Sequence, residues 1–539
     1  MTSTHPTESE LTEQTRFARI IGTRLLAFVC ATTESRIESR LATGAGLDRQ
    51  REAILEHVLS VARQSALAAF RFGGPEESFI QPLFQYDEGA RTSRPNALRR
   101  KAGGVLPPTR YEGPAVSALA ELARDAFPAL LARPEGGLLT GVIPHTLRST
   151  WLLGSILWRH PATERFQAEV LKEPEFAKVF ATAATNTETM GYVWTSLGSG
   201  GSIQLEMLAN TLVVAAHSRL TLRDQLEHDA FVQETVRQYA TVCRLLAGDS
   251  VPVCSSLGFV GAKMKTGPVD TPWGRLRAPT SGETETRASL PVANSQELVL
   301  ETEVSLEASI EPTYSPPLEG PGSFPFAEAA KAQAAASQRG ADLLALSLLL
   351  GLEREPPVAI ARTWTITENP FSHGPMLSWF QNSIALTPYE IDGSDRAKIR
   401  RWTARVHQHH SDRIDIATRR TLSALTTRSD PTDRLIDSVI ALENLFGTGS
   451  GELVFRVSTG CARLLERDGP ARLTLQRDVR RLYNLRSRVV HGAHAPEPGE
   501  MHPHAVDASD LAVRALRRLF LYRSDLIDNA DRSTALIMG

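Results

Sequence analysis

At 539 residues the chain exceeds what one hydrophobic core supports, so it divides into two or more domains. Hydrophobic residues make up 42% and charged residues 22%, and a formal charge of −2 excludes a general attraction to nucleic acid or anionic membrane. Any polyanion must meet a local basic patch. Cys30, Cys243, Cys254 and Cys461 are scattered without CxxC spacing, which argues against a zinc site or disulfide framework and fits a reducing cytoplasm. The N-terminal MTSTHPTESE is polar and acidic, unlike a secretory signal. The apolar run Leu343–Leu350 is far short of the roughly 20 residues of a membrane span. The expectation is a soluble cytoplasmic protein with no membrane partner.

Residues 1–250 read as a mainly helical region. Spaced apolar positions predict helices over 11–33 and 50–72, then 115–133, 146–181 and 203–247. Glu76–Pro114 reads as irregular, with Arg91, Arg94, Arg99, Arg100 and Lys101 as a solvated basic loop. Ser196–Ser202 (SLGSGGS) has no Gly-Lys-Ser/Thr after it and reads as a flexible connection, not a phosphate loop. Residues 251–388 read as an α+β module. Its short β-prone runs lie within 253–312, and ELVLETEVSLEAS alternates like a strand with one face in water. Ser281–Ser295 reads as a polar loop, Phe326–Leu352 as a helix and Val358–Ile366 as a further strand.

Residues 389–539 are helical by pattern, over about 394–410, 412–427, 431–446, 452–467, 471–491 and 505–530. Asp430-Pro431-Thr432-Asp433 is a helix start, with an N-cap, a proline at the first position and an acid in the first turn. Gly447 and Asp468-Gly469-Pro470 are breaks, and Gly492 with Pro496 and Pro498 ends the helix before them. A bundle of four to six helices satisfies this pattern. The fold class is thus mainly α, with an α+β middle module and a C-terminal helical bundle.

The helix predicted over 471–491 carries the densest basic stripe in the chain. At about 100° per residue, Leu475, Val479, Leu482, Leu485, Val489 and Val490 form an apolar face. Arg477, Arg480, Arg481, Asn484, Arg488 and His491 lie opposite, an array suited to an RNA backbone or to plain solvation. Arg486 falls beside the apolar face, where a guanidinium needs a partner. Two readings are open: a structural pair with Glu443, or a cleft in which Arg486 meets phosphate. Arg486 and His491 stand five residues apart, about 140° around a helix, so they do not simply share a face. His407, His409 and His410 lack a matching acid or cysteine and read as a solvated helix face; His494, His502 and His504 fall in a Pro-rich loop. No metal or cofactor is expected.

Three segments in this order, DPTDRLIDSVIALENLFG (Asp430–Gly447), FRVSTGCARLLE (Phe455–Glu466) and LYNLRSRVVHG (Leu482–Gly492), resemble the ApeA-like branch of the HEPN superfamily over about 390–539. The resemblance implies a HEPN-type bundle that dimerises through this domain and cuts RNA, tRNA among the candidates, without metal. Arg486 and His491 would carry the chemistry, with Ser487, Arg488, Asn484 and Glu443 in support and Arg477, Arg480 and Arg481 on the RNA. Ser487 is a departure, since many active family members carry Asn, Asp or His there. The resemblance also implies a role in bacterial anti-phage defence by abortive infection, with residues 1–388 sensing a phage-derived trigger. The alternative is a non-catalytic HEPN module that binds RNA or dimerises within a larger assembly.

Overall fold

A computed structural model describes residues 14–18, 21–72, 81–132, 156–180, 190–287, 298–311, 325–372, 374–380, 384–447, 452–491 and 497–538. It is mainly helical, with its sheets concentrated in the middle of the chain. In the first 250 residues the described helices are α1 (Thr23–Val29), α2 (Glu34–Thr43), α3 (Arg49–Phe72), α4 (Arg94–Lys101), α5 (Pro114–Leu130), α6 (Pro161–Val170), α7 (Pro174–Phe180), α8 (Leu205–Leu222) and α9 (His228–Leu246). Their apolar stripes meet in one core that includes Leu26, Leu119, Phe166, Leu212 and Phe231.

Several expectations for this region need correction; the helix expected over 203–247, for one, is two helices, α8 and α9. The basic stretch is helical rather than a loop: Arg94, Arg99, Arg100 and Lys101 lie on α4, with Arg94, Arg100 and Lys101 exposed as expected and Arg99 the exception. There Arg99 sits 4.5 Å over the Phe28 ring and donates to the Phe28 carbonyl at 2.9 Å. A guanidinium finds both an aromatic face and a carbonyl there, so it is drawn inward. The helix expected over 146–181 is broken at Pro161 and Pro174, each at the start of its own short helix; 146–155 lie outside the described residues. SLGSGGS is the turn and return strand of a hairpin, β3 (Met190–Thr195) paired antiparallel with β4 (Gly200–Gln204). Immediately before α4 lies a small hairpin, β1 (Tyr86–Asp87) with β2 (Thr92–Ser93).

The middle region contains β5 (Val251–Val260), β6 (Ala262–Met264), β7 (Val269–Thr271), β8 (Gly274–Arg277), α10 (Ser281–Arg287), β9 (Leu298–Leu306), β10 (Ala308–Glu311), α11 (Ala327–Gly351), β11 (Ala361–Thr367), β12 (Met376–Trp379) and β13 (Tyr389–Ile391). Six strands form one sheet in the order β12-β11-β5-β9-β8-β7. One face, with Leu257, Phe259, Leu298 and Leu300, joins a core with α11 and the C-terminal helices. The other face sets Val299, Trp364 and Ile366 against Leu222 of α8. The start of β9, Leu298–Leu300, is therefore buried on both faces, and the expected water-exposed face is confined to its later residues. Beyond Glu307 the chain leaves this sheet, and β10 pairs with β3. Ser281–Arg287 is helical where a loop was expected, because Thr280 and Glu283 cap one another's backbone N–H; 288–297 lie outside the described residues.

The C-terminal helices are α12 (Asp395–His409), α13 (Asp415–Thr426), α14 (Pro431–Phe446), α15 (Leu453–Leu465), α16 (Gly469–Val490), α17 (Pro498–Tyr522) and α18 (Arg532–Met538). Asp430 caps α14 by accepting from Thr432 and Asp433 N–H, and Asp468 caps α16 by accepting from Ala471 N–H. The core that joins these helices to α11 and the sheet is continuous from Leu257 to Leu536. Arg517 of α17 fastens the two parts, donating to the Leu349 and Leu350 carbonyls at the end of α11 at 3.2 and 2.9 Å. The helix α17 begins at Pro498, so His502 and His504 are helical rather than in a Pro-rich loop; Gly492, His494 and Pro496 lie outside the described residues.

Candidate functional site

Buried Val479, Leu482 and Leu485 seat α16 in the bundle, with half-buried Leu475 and Val489 packed beside them. Val490, expected on that apolar face, is 49% exposed. The exposed side is basic: Arg477, Arg480, Arg481, Asn484 and Arg488 all face solvent, and Arg481 approaches His504 of α17, Nη2 to Nε2, at 3.4 Å. His491 is exposed at the C-cap, where its backbone N–H donates to the Ser487 carbonyl at 3.1 Å. Ser487 itself is half-buried.

Arg486 turns inward toward α14. Its Nη2 lies 3.9 Å from Oε2 of Glu443, and both side chains are about one-fifth exposed. That separation is too long for a hydrogen bond, and the buried Nε of Arg486 has no partner either. The guanidinium is thus held near an acid without being consumed by it. Tyr483 stands three residues before Arg486 on the same helical face and shares Glu443 with it. Burial raises the Tyr483 hydroxyl above its ordinary range, and a hydrogen bond to the Glu443 carboxylate adds to the rise. Sequence reasoning passed over Tyr483, although its i, i+3 spacing to Arg486 was visible.

The structure brings Arg486, Tyr483 and Glu443 together. It does not join Arg486 to His491: no hydrogen bond or ion pair links them, and one faces α14 while the other faces solvent. Among the described residues, no group of three or more His, Cys, Asp or Glu side chains is placed to hold a metal ion. The histidine triplet on α12 is not uniformly solvated as expected. His410 is buried against α13, 3.4 Å from Thr418 Oγ1 and 3.5 Å from Asp415, and burial lowers its pKa. Among the described residues no helix is long and apolar enough to cross a membrane.

A partly buried guanidinium with unused donors and a run of exposed arginines suit phosphodiester oxygens, and an exposed imidazole at the helix end suits proton exchange with a hydroxyl. Within one chain the guanidinium and the imidazole do not meet. No family model, no curated protein and no solved structure matches this chain.

Proposed function

We propose that the C-terminal helices form a HEPN-type domain that cuts RNA without metal, in the service of anti-phage defence. The observation that carries this reading is the loose Arg486–Glu443 pair at 3.9 Å, which leaves guanidinium donors unspent on the helix that ends at His491. Arg486 would steady charge on the phosphoryl oxygens. An imidazole takes the proton of the ribose 2′-hydroxyl, whose oxygen attacks phosphorus; the P–O5′ bond breaks and the leaving oxygen is protonated. The products are a 2′,3′-cyclic phosphate and a 5′-hydroxyl. Arg486 and His491 point apart within one chain, so two chains meeting across a two-fold axis would supply the acid, the base and the phosphate-binding groups together. The exposed Arg477, Arg480 and Arg481 would hold the flanking backbone.

The test is incubation of wild type and His491→Ala with total RNA and a tRNA pool in EDTA. Wild type cuts and leaves cyclic-phosphate ends, and the variant does not. Equal cutting by both would remove His491 from the chemistry. Retarded RNA without cutting would select a binding module, the role in which Glu443 serves only to neutralise Arg486.

A further inference from the structure

The helix α12 is seated in the bundle by buried Ile399, Trp402 and Val406, and it carries five cations, Arg396, Lys398, Arg400, Arg401 and Arg405, against one acid. That acid, Asp395, is 1% exposed and already engaged. It accepts from the Tyr389 hydroxyl at 2.8 Å and pairs with Lys398 at 3.3 Å. Among the described residues none of the four arginines of α12 forms an ion pair. Arg396 donates to the Pro268 carbonyl at 3.0 Å, and the Arg405 guanidinium lies 5.8 Å from the centre of the Trp402 ring. Arg400 and Arg401 are exposed.

A face that is merely solvated mixes its signs, because opposite charges three or four residues apart support a helix and like charges oppose it. Elsewhere the surface follows that rule: Lys172 pairs with Glu169, Lys178 with Glu175 and Arg514 with Asp510. The exposed side of α12 breaks it twice. Arg396 and Arg400 are like-charged at i, i+4, and so are Arg401 and Arg405. Arg396 also stands in the first turn, where the helix dipole favours an acid. Nothing on the helix offsets these costs, and local rules broken without local compensation belong to surfaces that meet something else.

The two pairs lie on the two flanks of the exposed side, and within each pair the arginines are about 6 Å apart along the axis. That step suits successive phosphates of a strand, whose oxygens a guanidinium grips with two parallel bonds. A protein partner or a bilayer would need an apolar anchor. The middle of this face is Ala397, Ala404 and Gln408, and none of the exposed large apolar side chains among the described residues lies on α12. We propose that the exposed face of α12 docks a nucleic-acid strand through its phosphodiester backbone, without reading its bases. The surface is on a different helix from Arg486, His491 and the α16 arginines, and it stands whether or not the chain cuts RNA.

Fluorescence anisotropy of the full chain with a labelled single strand of RNA, and of DNA of the same sequence, tests it at several salt concentrations. The chain carries His491→Ala so that cutting does not consume the probe, and Arg400→Gln, Arg401→Gln and Arg405→Gln are then added together. Both probes bind, and the triple change weakens each at least about fivefold and flattens the logarithmic salt dependence by about 2. The losses for RNA and DNA agree within about threefold, because the backbone and not the ribose hydroxyl is held. The melting temperature holds or rises, since like-charge repulsion is relieved. Removing three exposed cations elsewhere, by Arg91→Gln, Arg100→Gln and Lys101→Gln, leaves binding unchanged. Failure of both probes to bind overturns the proposal, as does an unchanged affinity and slope in the α12 variant or an equal loss in the control. A loss confined to RNA, a lower melting temperature alongside the loss, or a tighter hold on polyglutamate than on either probe also overturns it.

Discussion

Arg532→Ala will unfasten the C-terminal bundle. Arg532 is 1% exposed, and its guanidinium donates to five backbone carbonyls. Nε reaches Leu445 at 2.8 Å; Nη1 reaches Ile527 at 2.9 Å and Asn529 at 3.2 Å; Nη2 reaches Asn444 at 2.7 Å and Arg413 at 3.4 Å. Asn444 and Leu445 lie in the last turn of α14, whose carbonyls have no partner within the helix, so Arg532 does the work of a C-cap beside Glu443. Alanine strips the shortest three bonds of their donor, and a hydrogen bond from a charged group contributes about 1.5 kcal/mol at the low end, or about 4.5 kcal/mol together. Relief of the buried charge offsets part of this, leaving a net loss of about 3 kcal/mol. Arg532→Lys keeps the charge but not the planar fork, and loses about half as much. Urea unfolding followed by circular dichroism measures both. A loss below about 1 kcal/mol for alanine would refute the reasoning, since that is ordinary for a residue with no special role.

Three further outcomes follow from other parts of the molecule. Burial alone would raise the Asp125 carboxyl, but hydrogen bonds from His160, Arg124 and Thr92 outweigh it and hold its pKa at about 2 against an ordinary 3.8. A depressed carboxyl stabilises the fold above its ordinary pKa, so about 2 kcal/mol is present at neutral pH and is lost as pH falls from 4 toward 2. Asp125→Asn should lower stability at pH 7 and flatten that acid limb in pH-dependent denaturation; an unchanged limb would exclude Asp125 as its source. A Cβ on Gly258 would lie 1.9 Å from the fully buried Trp364 ring, so Gly258→Ala should cost about 1–3 kcal/mol or more, read as a lower melting temperature. Replacing Arg477, Arg480 and Arg481 together by alanine should flatten the salt dependence of RNA binding by about 2 in the logarithmic slope, which fluorescence anisotropy at several ionic strengths measures. No change in slope would leave the stripe a solvated face.

Where an element's bounds are set by contacts within a few residues, the chain states them outright. Asp430 and Pro431 announce the start of α14 and Gly447 its end, and the helix runs from Pro431 to Phe446 as expected. The same local logic places α11, α12 and α16 to within a few residues. The seating of Arg486 beside the apolar stripe was also legible, as was Glu443 as an acid within reach.

Pairing over distance was not legible. Leu298–Leu306 and Ala308–Glu311 read as one alternating strand, yet they serve two sheets, because β10 finds its partner in β3 more than a hundred residues earlier. The Pro-rich lead into α17 read as loop, but Met501, Ala505 and Ala508 are fully buried there, and that burial outweighs the bond Pro503 forfeits. Arg99 counted as a loop charge until Phe28 came to lie under it. The local sequence determined where helices begin and end, because a cap or a proline acts on its own neighbours. Only the tertiary structure decided which faces are covered and how loosely Glu443 holds Arg486, because burial and charge pairing depend on atoms that the chain brings together from afar.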